Sequence, residues 1–236
     1  MVAHFWGSEA RVASIAQKLN PYVKVKVQDE KFISDRLEMM AKYINHAVVG
    51  DHEMAEYVKD YFRFVHIIPQ VIDLDKYKPE AEPVKNDKFK IVHAPTNAES
   101  KGTKYILAAI EKLKSKYDFE FELIQGLAHE EAKKKYAGSD LVIDAIHCGC
   151  YGLLAIECMA LGKSVICWIS DFMKDKYPPG LPIISANPDT IEQQIEWALT
   201  NRDALPELGA RGRAYCEAHL DMNKVVDQLI ELYSVL

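Results

Sequence analysis

The residues in this chain best placed to do chemistry are one carboxylate and one ammonium. Glu157 lies in YGLLAIECMAL, residues 151–161, and shares the stretch from Tyr151 to Ile169 with only one other charge, Lys163. An unpaired carboxylate in an apolar interior costs several kcal/mol. The pattern therefore implies that Glu157 faces a cleft and accepts hydrogen bonds from a ligand there, the bland alternative being a helix whose Glu reaches solvent. Lys101 lies in HAPTNAESKGT, residues 93–103. A strand ends at His93, a polar loop follows, and a helix opens near Ser100 or Lys101. Free backbone N–H groups at a helix start, with an ammonium beside them, suit a phosphate. Thr96, Asn97, Ser100 and Thr103 add side-chain donors. The competing reading is a capped helix with Ser100 as N-cap and Lys101 in solvent. Neither GxxxxGK[ST] nor GxGxxG is present in this segment, so it is no P-loop and no dinucleotide fingerprint.

IDAIHCGCYG, residues 143–152, leads into the Glu157 helix. Asp140 and Asp144 bracket a strand, and Gly149 and Gly152 would let a ligand approach the backbone closely. His147, Cys148 and Cys150 lack the second half of a zinc site. A Cys–His nucleophilic pair is rejected because adjacent residues on extended chain point to opposite faces. In HFWGSEAR, residues 4–11, His4, Ser8 and Arg11 could line a cleft, or Ser8 could cap a helix beginning at Glu9. Lys133–Lys135 reads as a solvated helix face.

These segments need elements to hold them. Apolar runs alternate with amphipathic stretches, which predicts an α/β protein with largely parallel sheets. Strands are expected at 23–27, 47–49, 65–68, 90–93, 120–124, 141–143, 164–167 and 183–184. Helices are expected at 9–19, 32–43, 52–60, 101–117, 130–137, 152–161 and 190–199, with closing helices at 204–219 and 223–235. The charged segment 73–88, with Pro79 and Pro83, separates two apolar strands and reads as a linker. It divides the chain into a portion 1–75, small for an independent α/β unit, and a domain 88–236 that includes the closing helices. A net charge of -6 argues against general nucleic-acid binding. Five cysteines without framework spacing read as reduced thiols. No apolar run reaches the length of a membrane span and no signal peptide opens the chain. The expectation is a cytoplasmic protein, with room for peripheral membrane association.

Taken in order, GSEAR from Gly7, IIPQVIDLDKYKP from Ile67, HAPTNAESKGT from His93 and GCYGLLAIECMALGKSVI from Gly149 resemble the retaining GT-B glycosyltransferases, in particular family four. The resemblance implies two Rossmann-like domains around a cleft, the C-terminal one binding a nucleoside-diphosphate sugar that is transferred to an acceptor hydroxyl with retention. It implies that Lys101 meets the diphosphate, that Glu157 accepts from the ribose hydroxyls, and that Gly152 and Leu153 bring backbone amides to the phosphates. Thr96, Asn97, Gly102, Gly149 and Tyr151 complete the expected donor site, and His4 and Ser8 are the expected acceptor-side contacts. Lys101 and Glu157 are the expected catalytic pair. No metal or cofactor is implied, since a cation and helix dipoles can neutralise the leaving diphosphate.

This sequence departs from the family in three ways. A second Glu, expected eight residues before Glu157 against the donor sugar, is replaced by Gly149. An Arg expected after the strand is replaced by the segment Ala94–Pro95–Thr96. Roughly a hundred residues of the N-terminal domain are expected before the GSEAR segment, so a partner chain or a second copy would complete that domain. The acceptor is unidentified. Rival readings are a non-catalytic nucleotide-sugar-binding module, a sugar-nucleotide epimerase of the same architecture, and a plain α/β interaction protein.

Overall fold

A computed structural model describes residues 1–80 and 86–236; Pro83, part of the expected linker, lies outside them. The first unit contains β1 (Val2–Phe5), α1 (Ala13–Leu19), α2 (Glu30–Ala41), β2 (His46–Val49), α3 (His52–Val58) and β3 (Phe64–Ile67). The second begins with β4 (Lys90–His93), α4 (Ala98–Lys101), α5 (Thr103–Lys114), β5 (Glu120–Leu123), α6 (His129–Ala137) and β6 (Leu141–Ile143). It continues through α7 (Leu153–Ala160), β7 (Ser164–Cys167), α8 (Asp171–Lys174), β8 (Ile184–Ser185), α9 (Ile191–Thr200), α10 (Leu205–His219) and α11 (Met222–Ser234). All strand pairs are parallel, in a three-stranded sheet β1-β2-β3 and a five-stranded sheet β5-β4-β6-β7-β8. The α/β class and parallel sheets read from the sequence are the observed ones.

The central strands show why. β6 and β7 are buried at every position, as expected of strands covered on both faces. The stripe Ile106, Ala109, Ile110 and Leu113 buries α5 against that sheet at helical spacing. α10 packs on the turn after α7 so closely that a Cβ at Gly209 would lie 2.0 Å from the Gly162 carbonyl oxygen. Only glycine permits that approach.

Three expected elements differ. The stretch 23–27 is not a strand: Val23, Val25 and Val27 are half-buried against the first core while Lys24 and Lys26 are exposed. The alternation is present, but no neighbouring strand supplies the ladder. The helix expected from Glu9 begins at Ala13, because Gly7 accepts from the Ala10 and Arg11 amides in a turn. Ser8 therefore caps nothing. The single helix expected from Lys101 is two, with Asn97 rather than Ser100 as the cap: its side chain accepts from the Ser100 amide at 2.9 Å.

The chain passes between the units twice, side by side. Ile72 N–H donates to Leu220 at 2.9 Å and Met222 N–H to Ile72 at 3.0 Å. α11, expected with the second unit, lies on the outer face of the first sheet, where Val225, Leu229 and Leu232 meet Val2, Val48 and Ile68. In return Ile72, just before the expected linker, and Leu74 and Tyr77 within it pack into the second unit's core.

Candidate functional site

In the larger sheet β5 lies on one side of β4 and β6 on the other. That reversal opens a crevice beyond the carboxyl ends of β4 and β6, where open parallel sheets hold their ligands. The first loop there is anchored by His93, which is buried. Its Nδ1 lies 2.7 Å from the Ile143 carbonyl oxygen and its Nε2 2.9 Å from Thr103 Oγ1. Burial pushes its pKa down, so the ring is neutral. Gly102, at φ 78, then turns the chain from α4 into α5. A Cβ there would lie 2.5 Å from Ile146 Cγ1, which makes Gly102 a packing and turn residue rather than a ligand contact.

This anchoring directs Lys101 into the crevice. Its Nζ lies 2.7 Å from Oδ1 of Asp144, the residue that follows β6 and whose side chain is fully buried. Burial alone would lower the lysine, but Asp144 outweighs it and holds the ammonium well above its usual range. The other Asp144 oxygen, Oδ2, is buried without a hydrogen-bond partner among the described residues. Opposite stands the start of α7. Gly152 supplies no side-chain cap, so the first N–H groups of the helix have no side-chain acceptor. A Cβ at Gly152 would lie 3.8 Å from Lys101 Nζ and 3.9 Å from Asp144 Oδ2.

A cavity of about 130 Å³ lies here between the units. Lys101, Cys148, Cys150, Tyr151, Gly152 and Tyr177 line it from the second unit, and Trp6, Arg11, Asp51, Met54 and Gln70 from the first. Arg11 makes a two-point ion pair with Glu53, Nε to Oε1 at 3.0 Å and Nη2 to Oε2 at 2.6 Å, and Tyr57 also donates to that carboxylate. Ligand atoms of Asp51, Glu53 and Cys150 lie within 4.8 Å of one another. Both Glu53 oxygens already serve Arg11, so a cationic group of the chain itself stands where an ion would be held. Burial drives the Cys150 thiol well up, and it is neutral.

Asp51 caps α3, accepting from the Met54 amide at 2.8 Å. Burial and then Glu53 raise its pKa. A raised carboxyl pKa means that the folded state holds the proton more tightly than the unfolded chain. Its contribution to stability is complete below the ordinary value of 3.8 and is lost as pH rises through the folded value. Asp51→Asn keeps the cap and removes the ionisation. Its melting temperature is expected to equal the wild type's in acid, where the carboxyl is protonated in both states, and to exceed it at pH 8. Melting curves from acid to alkaline pH check this; profiles that stay parallel would assign the cost elsewhere.

The residues expected to hold a donor are only partly brought together. Lys101, Tyr151 and Gly152 line the cavity, with Tyr151 stacked on Tyr177 at 4.5 Å between centroids. Leu153 is exposed at the start of α7. Thr96 and Asn97 are exposed; Asn97 faces a separate open polar groove with Lys24 and Lys26, away from Lys101's cavity. Gly149, at φ 79, is closed off: a Cβ there would lie 2.6 Å from Asn20 Nδ2, which donates to the His147 carbonyl at 2.7 Å. Trp168 Nε1 and the Tyr22 amide donate to the Asn20 oxygen at 3.3 and 2.9 Å, so this residue clasps the second unit from the first.

Glu157 is not the partnerless carboxylate its apolar neighbours imply. Tyr77 and Tyr136 hydroxyls donate to it at 3.0 and 2.8 Å, and His129 Nε2 lies 2.9 Å away. Burial first, then Glu157, drives both tyrosine pKa values up. The carboxylate lies outside the cavity lining, with 13% of its side chain exposed. Its partners come from the linker and from α6, far off in sequence, so no local pattern could show them.

His4 and Ser8 do not line the cavity. Strand alternation points Ala3 and Phe5 into the first core and turns His4 to α11, where its Nε2 lies 2.7 Å from Tyr233 Oη. Trp6 and Arg11 are the residues of that segment that reach the cavity. Asp51, Asp144 and Tyr177 were missed as site residues. For Asp144 a signal existed, its place just past a buried strand; for Asp51 and Tyr177 there was none.

No protein-family model matches this chain, and no curated protein matches it by sequence. Solved structures do. The chain is similar to sucrose-phosphate synthase from Thermosynechococcus elongatus, with TM-score 0.69 and 14% identity over 99% of this chain and 67% of that one. It is similar to Anabaena HepE, solved in complex with UDP and glucose, with TM-score 0.72 and 12% identity over 100% of this chain and 71% of that one. A glycosyltransferase from Rickettsia africae gives TM-score 0.60 and 18% identity over 83% of this chain and 66% of that one. At such identities the likeness is one of fold: this chain has the parallel-sheet α/β architecture of GT-B glycosyltransferases.

Proposed function

We propose that this chain binds a nucleoside-diphosphate sugar in the cleft between its two units and serves its transfer to an acceptor hydroxyl. The observation that carries the reading is Lys101 Nζ beside the uncapped N-terminus of α7, at the point where the larger sheet reverses its order. An ammonium has three donors; one is used on Asp144, leaving others for a diphosphate at the mouth of the cavity. In this reading the Gly152 and Leu153 amides meet the phosphates. Glu157, whose Oε2 accepts from Tyr136 alone among the described residues, takes the ribose hydroxyls. Retention is supported by the motif order alone. No metal is needed in this scheme, since Lys101 and the helix dipole offset the leaving charge. A partner chain or a second copy would complete the acceptor side, and the open edge of β1 supports that, having no strand beyond it among the described residues. Among the described residues no helix is long and apolar enough to cross a membrane.

A second reading has its own observation. Asn20 fills the space a side chain at Gly149 would need, so a carboxylate cannot stand there, which favours a binding module without transfer. A thermal-shift panel of uridine, guanosine, adenosine and cytidine diphosphates tests the donor site. One base is expected to raise the melting temperature, and no shift with any of them would sink the reading. Release of free sugar, or transfer from the matching sugar nucleotide, then separates enzyme from binding module.

A further inference from the structure

We propose that Asp144 recognises the sugar itself, its Oδ2 accepting a hydrogen bond from a hydroxyl of a hexose seated beside Gly152. The inference rests on the donor-site reading and adds to it the group that takes over from the carboxylate absent at Gly149.

The first argument is the orphaned acceptor. Asp144 is fully buried, Oδ1 is taken by Lys101, and Oδ2 has no partner among the described residues. A buried carboxylate oxygen left unmatched is costly, and a carboxylate can only accept. What completes it must therefore be a donor. Asp144 lies behind the cavity wall rather than in it: the position a Cβ would take at Gly152 lies 3.9 Å from Oδ2 and 3.8 Å from Lys101 Nζ, and both Gly152 and Lys101 line the cavity, so a hydroxyl approaches Oδ2 past Gly152.

The second argument is charge. Around this cavity Arg11 is matched by Glu53 and Lys101 by Asp144, while Asp51 remains as a further carboxyl. Within this space each cation already faces a carboxylate, which disfavours a phosphate there and suits a neutral polyol, while the Lys101 protons not used on Asp144 serve the start of α7. Tyr177, on the same wall, has a buried hydroxyl without a partner among the described residues, able to donate or accept. The Tyr151–Tyr177 stack adds aromatic surface against which a sugar ring can lie. The electrostatics thus sort the two ends of a sugar nucleotide: diphosphate at the start of α7, sugar inside.

The test uses the full chain with D-glucose, D-galactose, D-mannose and N-acetyl-D-glucosamine, followed by saturation-transfer NMR, and with uridine diphosphate against its hexose esters by calorimetry. In the wild type one hexose binds, or its ester binds more tightly than the diphosphate alone. Asp144→Asn is expected to cut that sugar contribution at least tenfold while affinity for the bare diphosphate is kept or improved, because Lys101 is released. Gly152→Ala is the second variant. At φ -116 its backbone suits any residue, and the added methyl makes only ordinary contacts, so it folds even if Asp144→Asn does not. It fills the seat and should also cut the sugar contribution tenfold. The proposal is overturned if no hexose contributes to wild-type binding, or if the contribution survives both variants. Diphosphate binding without an Asp144-dependent sugar term would refute this inference and leave the donor site standing. Hexose binding that depends on Asp144, with no nucleotide response, would do the reverse.

Discussion

Lys101→Met is expected to lower the melting temperature by about 6–20 °C and to abolish the response to nucleoside diphosphates. The physical reason is what the substitution leaves behind. Asp144 is fully buried and Lys101 is its only charged partner among the described residues, at 2.7 Å. Stripping one member from a buried ion pair costs about 3–5 kcal/mol, because the survivor has neither water nor counter-charge. In a chain of this length each kcal/mol moves the midpoint by about 2–4 °C. Replacing the pair together, Lys101→Met with Asp144→Leu, removes the stranded charge. Most of the lost stability should return, since apolar side chains of similar size can replace a buried pair at little net cost. Nucleotide binding should not return, because the ammonium facing α7 is still gone. Melting curves of the two single variants and the double variant, with and without the preferred diphosphate, separate the roles. A double variant as unstable as Lys101→Met would show that the pair is not what sets the stability. A Lys101→Met protein that still responds to nucleotide would remove Lys101 from the donor site.

Glu157→Ala should cost about 2–5 kcal/mol, because it leaves the Tyr77 and Tyr136 hydroxyls in a half-apolar setting without their acceptor. Tyr77 lies on the segment leading out of the first unit, and Tyr136 closes α6. Glu157 thus fastens two separate pieces of chain to α7. Tyr77→Phe and Tyr136→Phe remove one donor each and are expected to cost about 1 kcal/mol apiece. Added to Glu157→Ala they should cost almost nothing more, the sign of a shared network. Ribose recognition is read separately, at a temperature where every variant is folded. Wild type should prefer the ribonucleoside diphosphate to its 2′,3′-dideoxy analogue, and Glu157→Gln should lose the preference. Equal preference in both proteins would leave Glu157 a structural fastener alone.

The same residue shows where sequence reading stops. An apolar helix with one carboxylate states that the charge must be matched, but it does not state by what. The match came from Tyr77, Tyr136 and His129, which lie 80, 21 and 28 residues away. Asp144 is the converse case. Its place after a buried strand marked the end of the sheet where ligands gather, yet nothing local said that one oxygen would hold Lys101 and the other would be left open. His4 and Ser8 were drawn to the cleft by motif order, and the alternation of β1 turned His4 to the opposite face.

By itself the sequence determined the α/β class, the parallel strands from β4 to β7, most of the helices, and the two loops that frame the crevice. Those features follow from short-range physics: burial on both faces makes an unbroken apolar run, and one-sided burial makes a helical stripe. Only the tertiary structure decided which charges neutralise one another, that Asn20 occupies the space beside Gly149, and that α11 returns to the first sheet. Pairing energies depend on distance and burial between residues far apart in the chain, and neither quantity is written in local spacing.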